Sequence, residues 1–267
     1  MANEQTADSR RDVAAVVMAA GQGTRMKDPA RAKVMYELNG RPMVHYVVDV
    51  AYALGASRVI VIVGYQKDVV ISYLRSSHPN ALCVVQEKQL GTGHAVLQAE
   101  GSLEGFEGDV LVLSGDVPLL TKRTMQLLLR HHFGTGAAAT ILTAQMEDPT
   151  GYGRIIRNPG GSVEKIVEHR DASKEERNIR EINSGIYVFE KKKLFEGLRS
   201  ITPNNTQNEY YLTDVFEYFW RHHWRVSALL AERAEEIHGI NTVAQLERAR
   251  AIVEARADAA LGGASKS

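Results

Sequence analysis

The chain has 267 residues, 44% of them hydrophobic, enough to bury a sizeable core in one large or two small α/β domains. Lys+Arg and Asp+Glu both total 32, so the formal net charge is zero; nucleic-acid binding and adhesion to a membrane surface, which want a basic excess, are not expected. A single cysteine, Cys83, excludes an intrachain disulfide and a cysteine metal site, and with a polar N-terminus and no apolar run near the ~20 residues that span a bilayer, a cytoplasmic chain is expected.

Residues 1–12 read as a disordered tail. "VAAVVMA" (13–19) reads as a strand, and residues 43–54 as a helix with Val44, Val47, Val48 and Ala51 on one face. Strand 58–64, helix 67–75, strand 81–85, helix 92–100 and strand 109–115 follow. Helix 121–132 opens on Thr121 as its cap, and strand 137–144 closes the first half. These strands are nearly continuous apolar runs, which suits a mostly parallel sheet covered on both faces in a doubly wound α/β fold.

The second half differs. "GRIIRN", "GSVEKIVEH" and "EINSGIYVFE" read as a β-meander with polar turns such as Asn158-Pro159-Gly160-Gly161. Helices "KKLFEGLRS" and "TDVFEYFWRHH", the latter opened by Thr213, precede a late strand "VSALLAE". One domain over residues 13–243 is expected, with a core half and an inserted, smaller β-rich half facing substrate. Residues 244–267 should form a terminal helix, to about Leu261, and a flexible tail.

In doubly wound folds ligands sit beyond the carboxyl ends of the strands. There the chain carries Gly21-Gln22-Gly23-Thr24-Arg25, Gly64, Gln86 and Gly115-Asp116. The first loop is not a dinucleotide fingerprint, because Met26 stands where the third glycine belongs, and no Walker loop occurs. It remains a turn whose backbone can approach a phosphate, with Arg25 as a bidentate fork and Lys33 as a point charge. Gln86 offers both a donor and an acceptor, which suits a base edge, and Gly91-Thr92 can approach a base or ribose through the backbone. Asp116, after a buried strand, is an apt oxygen ligand for Mg²⁺.

Together with "QLGTGHA", "GDVPL", "DPTGYGRI", "IVEHRDA", "EIN-G" and "NEYYLTD", in this order, these stretches resemble the uridyltransferase domain of bacterial N-acetylglucosamine-1-phosphate uridyltransferase, from about Val13 to beyond Asn241. The resemblance implies a Rossmann-like, glycosyltransferase-A-like nucleotidyltransferase. It implies UTP and N-acetylglucosamine 1-phosphate as substrates and UDP-N-acetylglucosamine and pyrophosphate as products. It places Met18, Ala19, Ala20, Gly21, Ser114 and Gly115 along the nucleotide, with Gln86, Gly91 and Thr92 reading uracil. Arg25 and Lys33 would face the phosphates and act in catalysis, and Asp116 and Asn241 would hold Mg²⁺. Gly153, Glu168 and Asn183 would bind the amino sugar, with Tyr211 and Thr213 flanking its phosphate.

The chain departs from the family pattern at Gln22, where a basic residue is usual, at Ala32-Lys33, where Pro-Lys is usual, and at Ser114, where the bifunctional members carry an aromatic residue. The segment between Arg25 and Lys33 also reads as one residue longer, so Lys27 or Arg31 is an alternative partner for the phosphates. No hexapeptide repeat follows before Ser267, so acetyl transfer is not expected and a monomer is. A glucose-1-phosphate enzyme using UTP or dTTP, and a non-catalytic nucleotide-sugar binder, are the competing readings. His131-His132 and His222-His223 read as surface histidines, Lys191-Lys192-Lys193 as a solvated helix start, His94 as a helix-packing residue and Cys83 as a small buried hydrophobe.

Overall fold

The computed structural model describes residues 11–23, 26 and 31–264. In chain order the elements are β1 (Val13–Ala19), the short pair β2 (Glu37–Leu38) and β3 (Arg41–Pro42), α1 (Met43–Ala53), β4 (Arg58–Val63), α2 (Lys67–Ser77), β5 (Leu82–Val85), α3 (Thr92–Leu97), β6 (Asp109–Ser114), α4 (Lys122–Thr135) and β7 (Ala139–Gln145). Then come β8 (Arg154–Arg157), β9 (Val163–Val167), α5 (Lys174–Arg177), β10 (Glu181–Glu190), α6 (Lys191–Leu198), α7 (Asp214–Arg221), β11 (Val226–Leu230) and α8 (Val243–Ala264).

Among the described residues nine strands form one sheet, whose main path runs β11-β7-β10-β6-β1-β4-β5, with β8 and β9 attached through β10. Pairing is parallel except at β10, which runs antiparallel to both β6 and β7, and in the β8–β9 ribbon. The two halves expected from the sequence are therefore not separate: β10 and β11, from the second half, lie within the central sheet.

Alternation along β1 sends Ala14 and Val16 to one face and Ala15, Val17 and Ala19 to the other. On the second face pack Val44, Val47 and Val48 of α1, Val70 and Leu74 of α2, and Met125 and Leu128 of α4. On the first pack Ala95 and Val96 of α3, Leu194, Phe195 and Leu198 of α6, and Val215, Phe216 and Phe219 of α7. Each fully buried aliphatic or aromatic side chain contributes roughly 1.5–3 kcal/mol, so the three layers rest on these two apolar seams. Thr121 caps α4 as expected, accepting from Thr124 N at 3.2 Å.

At both ends the described residues make contacts with the rest of the fold. Asp12 O accepts from Asp109 N at 3.0 Å, so the sheet begins to hold the chain before Val13; residues 1–10 lie outside the described residues. Helix α8 extends to Ala264, past the expected end near Leu261. Its Leu246 and Ala249 pack with Met26, Leu38, Met43, Leu119 and Ile240 in a third cluster. Arg250 and Arg256 tie it further to the carbonyls of Glu37 and Leu119.

Two bland expectations fail. His132 is 1% exposed: its Nδ1 lies 2.9 Å from Thr140 Oγ1 and its Nε2 3.5 Å from Asp109 Oδ1. Helical period, not proximity in sequence, turns it inward while His131 stays at the rim on Ser227. Lys191 is not solvated either, because its Nζ donates to the carbonyls of Leu103 and Phe106, closing the turn before β6. His222 and His223 are exposed as expected, and Cys83 is half-buried, its thiol pushed up by burial.

Candidate functional site

Sheet register assembles the site. Met18 pairs with Ile62 on one side and Ser114 on the other, so β4, β1 and β6 end level. Gly115 N then bonds Met18 O at 2.9 Å, Tyr65 N bonds Ala20 O at 3.1 Å, and Gln86 N bonds Val63 O at 2.8 Å. The level carboxyl ends frame an open cleft of about 490 Å³. Met18, Ala19, Ala20, Gly21, Gln86, Gly91, Thr92 and Ser114 line it, together with Lys33, Asp116 and Asn241. Gly115 stands behind the wall: a Cβ there would come 2.9 Å from Met18 O, so it serves close strand packing. Arg25, like Thr24 and Lys27, lies outside the described residues.

The cleft's floor is a cation between two oxygen donors. Lys33 Nζ donates to Asn241 Oδ1 at 2.7 Å and also to an Asp116 carboxylate oxygen. The pair is largely shielded, with side chains 12% and 23% exposed. Asn241 reaches this place because Ile240 N bonds Asp116 O at 2.9 Å and Ile240 is buried under α8. Lys33 reaches it because Gly23, at φ +70°, has no side chain: a Cβ there would stand 2.5 Å from Lys33 Cβ. Arg31, the alternative by sequence, is exposed and stacks over Tyr36 instead. A carboxylate and an amide oxygen facing one cation are a hard-oxygen donor pair, fit for a divalent ion of the magnesium class.

At the opposite wall Gln86 is buried, and its amide nitrogen faces Gly91 O at 3.1 Å and His94 Nδ1 at 2.9 Å. Those contacts engage both amide hydrogens, so the side chain presents its carbonyl oxygen as the acceptor. Burial holds His94 below the usual imidazole range, which suits a neutral ring accepting from Gln86. Gly91, at φ +110°, lets "QLGTG" close on "NEYY": a Cβ would fall 2.6 Å from Tyr210 O. Gly93 N and Leu212 N bond Tyr210 O and Thr92 Oγ1 at 2.8 and 3.0 Å, so the Thr92 hydroxyl is already used in fastening these segments.

The residues expected around the sugar form a second group outside the cleft lining. A bulge in β10, with Gly185 at φ +77°, separates Asn183 from Tyr187 and lets Asn183 Nδ2 donate to the Tyr187 hydroxyl at 2.7 Å. Asn183 N bonds Gly153 O at 2.9 Å, and Gly153 is closely packed: a Cβ there would stand 3.1 Å from Ile166 Cγ2 and 3.4 Å from both Asn183 Cβ and Glu168 Oε1. Thr213 Oγ1 donates to Glu168 Oε1 at 3.2 Å; the hydroxyl expected to cap α7 is directed to this carboxylate, and α7 has no side-chain cap. Burial pushes the Glu168 carboxyl up, against the hydrogen bond from Thr213. Tyr211 is buried with its hydroxyl held by Gln207 Nε2 at 2.8 Å, and its phenol is pushed up to about 12. Ser114 joins the groups: its Oγ donates to Gly185 O at 3.1 Å, linking the cleft wall to the bulge.

Sequence reasoning missed Tyr187, Gln89 and Glu209. Tyr187 sat in an apolar strand pattern, and only the bulge gives its hydroxyl a polar partner. Gln89 and Glu209 lie within "QLGTGHA" and "NEYYLTD" and line the cleft, but nothing local in those stretches distinguishes them from solvated polar residues.

The nucleotidyl transferase family model matches residues 14–235. The chain is 50% identical to the bifunctional protein GlmU of Geobacillus thermodenitrificans (strain NG80-2) over 242 residues, which are 91% of this chain and 52% of that protein. It is 48% identical to the bifunctional protein GlmU of Pelotomaculum thermopropionicum over 235 residues, 88% and 50% respectively. The chain thus spans about half the length of the curated relatives it matches. Among solved structures, UDP-glucose pyrophosphorylase complexed with UDP-glucose superposes with a TM-score of 0.71, covering 92% of this chain and 99% of that one at 18% identity, a likeness of fold. Because the family match spans residues 14–235, from β1 past β11 and well over half of the chain, the chain belongs to the nucleotidyl transferase family.

Proposed function

We propose that the chain transfers a uridylyl group from UTP to N-acetylglucosamine 1-phosphate, giving UDP-N-acetylglucosamine and pyrophosphate. The observation that carries this reading is the link between two sites: a nucleotide-sized cleft with a cation at its floor, joined through Ser114 and Gly185 to the polar group of Asn183, Glu168 and Thr213. The order of motifs in the sequence supports the same reading.

In the reaction an oxygen of the sugar phosphate attacks the α-phosphorus, the bond to the bridging oxygen breaks, and pyrophosphate leaves. The attacking oxygen is already anionic, so no base has to remove a proton. The obstacle is the approach of two anions, and the chain's contribution is positioning and charge. Lys33 brings its ammonium to the cleft floor, and Arg25, in the glycine-loop sequence, would add a second positive charge. Asp116 and Asn241 would hold Mg²⁺, which when bound supplies positive charge to the phosphate oxygens. Gln86 offers its carbonyl oxygen to the N3–H of uracil. Glu168 and Asn183 accept and donate to the hydroxyls and acetamido group of the sugar.

Pyrophosphate release over a matrix of UTP, dTTP and other nucleoside triphosphates against N-acetylglucosamine 1-phosphate and glucose 1-phosphate tests the reading. UTP with the N-acetylated sugar should be the fastest pair. Faster turnover with glucose 1-phosphate overturns the sugar assignment. Nucleotide-sugar binding without turnover overturns the enzyme.

A further inference from the structure

We propose that His45, Asp49 and His78 form a binding site for a divalent transition-metal ion of the zinc type, clamping α1 to the end of α2. None of the three lines the nucleotide cleft. His45 and Asp49 stand four residues apart in α1 and so share a face, while His78 ends α2. One ligand atom from each lies within 4.8 Å of the other two. His45 Nε2 is 3.3 Å from one Asp49 oxygen and His78 Nε2 is 3.0 Å from the other. With bonds of about 2.0–2.2 Å, ligand atoms around a tetrahedral zinc stand roughly 3.3 Å apart; each histidine nitrogen already lies near that distance from the Asp49 carboxylate, though from different oxygens of it.

The outer nitrogens of both histidines are engaged by neighbouring hydroxyls. Ser77 Oγ gives its hydrogen to Tyr73 O at 2.9 Å and can then accept the N–H of His78 Nδ1, also at 2.9 Å, which leaves Nε2 as the nitrogen that faces Asp49. A metal ion between them would take a lone pair from each of the three residues. His45 is oriented in the same manner, with Nδ1 on the Tyr73 hydroxyl at 3.0 Å and Nε2 turned inward. A hydrogen bond to the outer nitrogen is the usual support of a ligating imidazole, here supplied by a hydroxyl at each histidine, and imidazole suits zinc, copper and nickel.

His78 is 7% exposed, whereas the Asp49 side chain is 52% exposed, so solvent can supply a fourth ligand. The cation an ion would displace is Arg41, exposed at the surface, with a guanidinium nitrogen 3.3 Å from His45 Nε2.

The test is titration of metal-free protein with Zn²⁺ by calorimetry and with Co²⁺ by visible absorption. Both are done in an Asp116→Asn background, which removes the carboxylate of the cleft floor. One equivalent of metal should bind, with the intense Co²⁺ bands of a four-coordinate site. In that background Asp49→Asn and His45→Gln should each weaken binding at least roughly tenfold. In the otherwise unaltered chain the same substitutions should leave the circular dichroism and the Mg²⁺-supported activity unchanged. Absence of saturable binding overturns the site, as does binding that neither substitution weakens.

Discussion

Replacing Lys33 by Gln removes the cation that stands between Asp116 and Asn241 while keeping most of the side chain's length. At 12% and 23% exposure the Lys33–Asp116 pair lies between a surface and a buried ion pair. Coulomb attraction of about 4 kcal/mol at 4 Å and an effective dielectric constant near 20 is offset by desolvation of both groups, leaving about 1–2 kcal/mol net. In the nucleotide-free protein that attraction competes with any metal ion for Asp116. Lys33→Gln should therefore tighten Mg²⁺ binding in the absence of nucleotide by a factor of roughly 5–30. Turnover should fall in the opposite direction, by about 10²–10³, the loss of one charge-stabilising contact to the reacting phosphates. Calorimetric Mg²⁺ titration and steady-state pyrophosphate release read the two effects separately. Weaker Mg²⁺ binding in the free variant, or turnover within about threefold of the parent, refutes the placement of Lys33 as both occupant and catalyst of the cleft floor.

Gly91→Ala forces a side chain into φ +110° and against Tyr210 O; it should cost about 1–3 kcal/mol of stability and raise the KM for UTP, and an unaltered melting temperature would contradict the strain. Asp214 is pushed up to about 6 from its ordinary 3.8, first by burial and then by the charge of Glu168. A raised folded-state value means its contribution is complete below about 3.8 and is lost as pH rises through about 6. Asp214→Asn should remove that loss, so thermal melts should favour the variant increasingly from about pH 4 to about pH 7; parallel curves would show that Asp214 titrates normally. Lys191→Ala leaves the carbonyl of Phe106 without the ammonium that bonds it and the carbonyl of Leu103 with Phe106 N as its remaining donor; it should lower stability in chemical denaturation by about 1–3 kcal/mol, with no change in KM for either substrate.

The strands and helices of the first half were legible because each is a long apolar run or a clear helical stripe bounded by a cap or turn. The residues after β1 and β6 were legible for the same reason: once the strands are known, the ligand side of a doubly wound sheet follows. What misled was local context. His132 reads as half of a surface pair, yet the period of α4 turns it onto Asp109. Lys191 reads as the start of a charged run, yet a neighbouring turn offers it two carbonyls. Thr213 reads as a cap, but an acceptor from β9's following turn takes its hydroxyl.

The sequence by itself determined the layered α/β class, the glycine turn and the types of group available for phosphate and sugar, because these depend on periodicity and on chemistry carried by single residues. Tertiary structure alone decided that β10 enters the central sheet antiparallel between β6 and β7. It also decided that Lys33 rather than Arg31 meets Asp116, across 83 residues of sequence, and that Asn241 completes the pair from 208 residues away. The physical reason is common to all three. Strand order and side-chain convergence are set by which apolar faces bury one another at long range, and no local period records that choice.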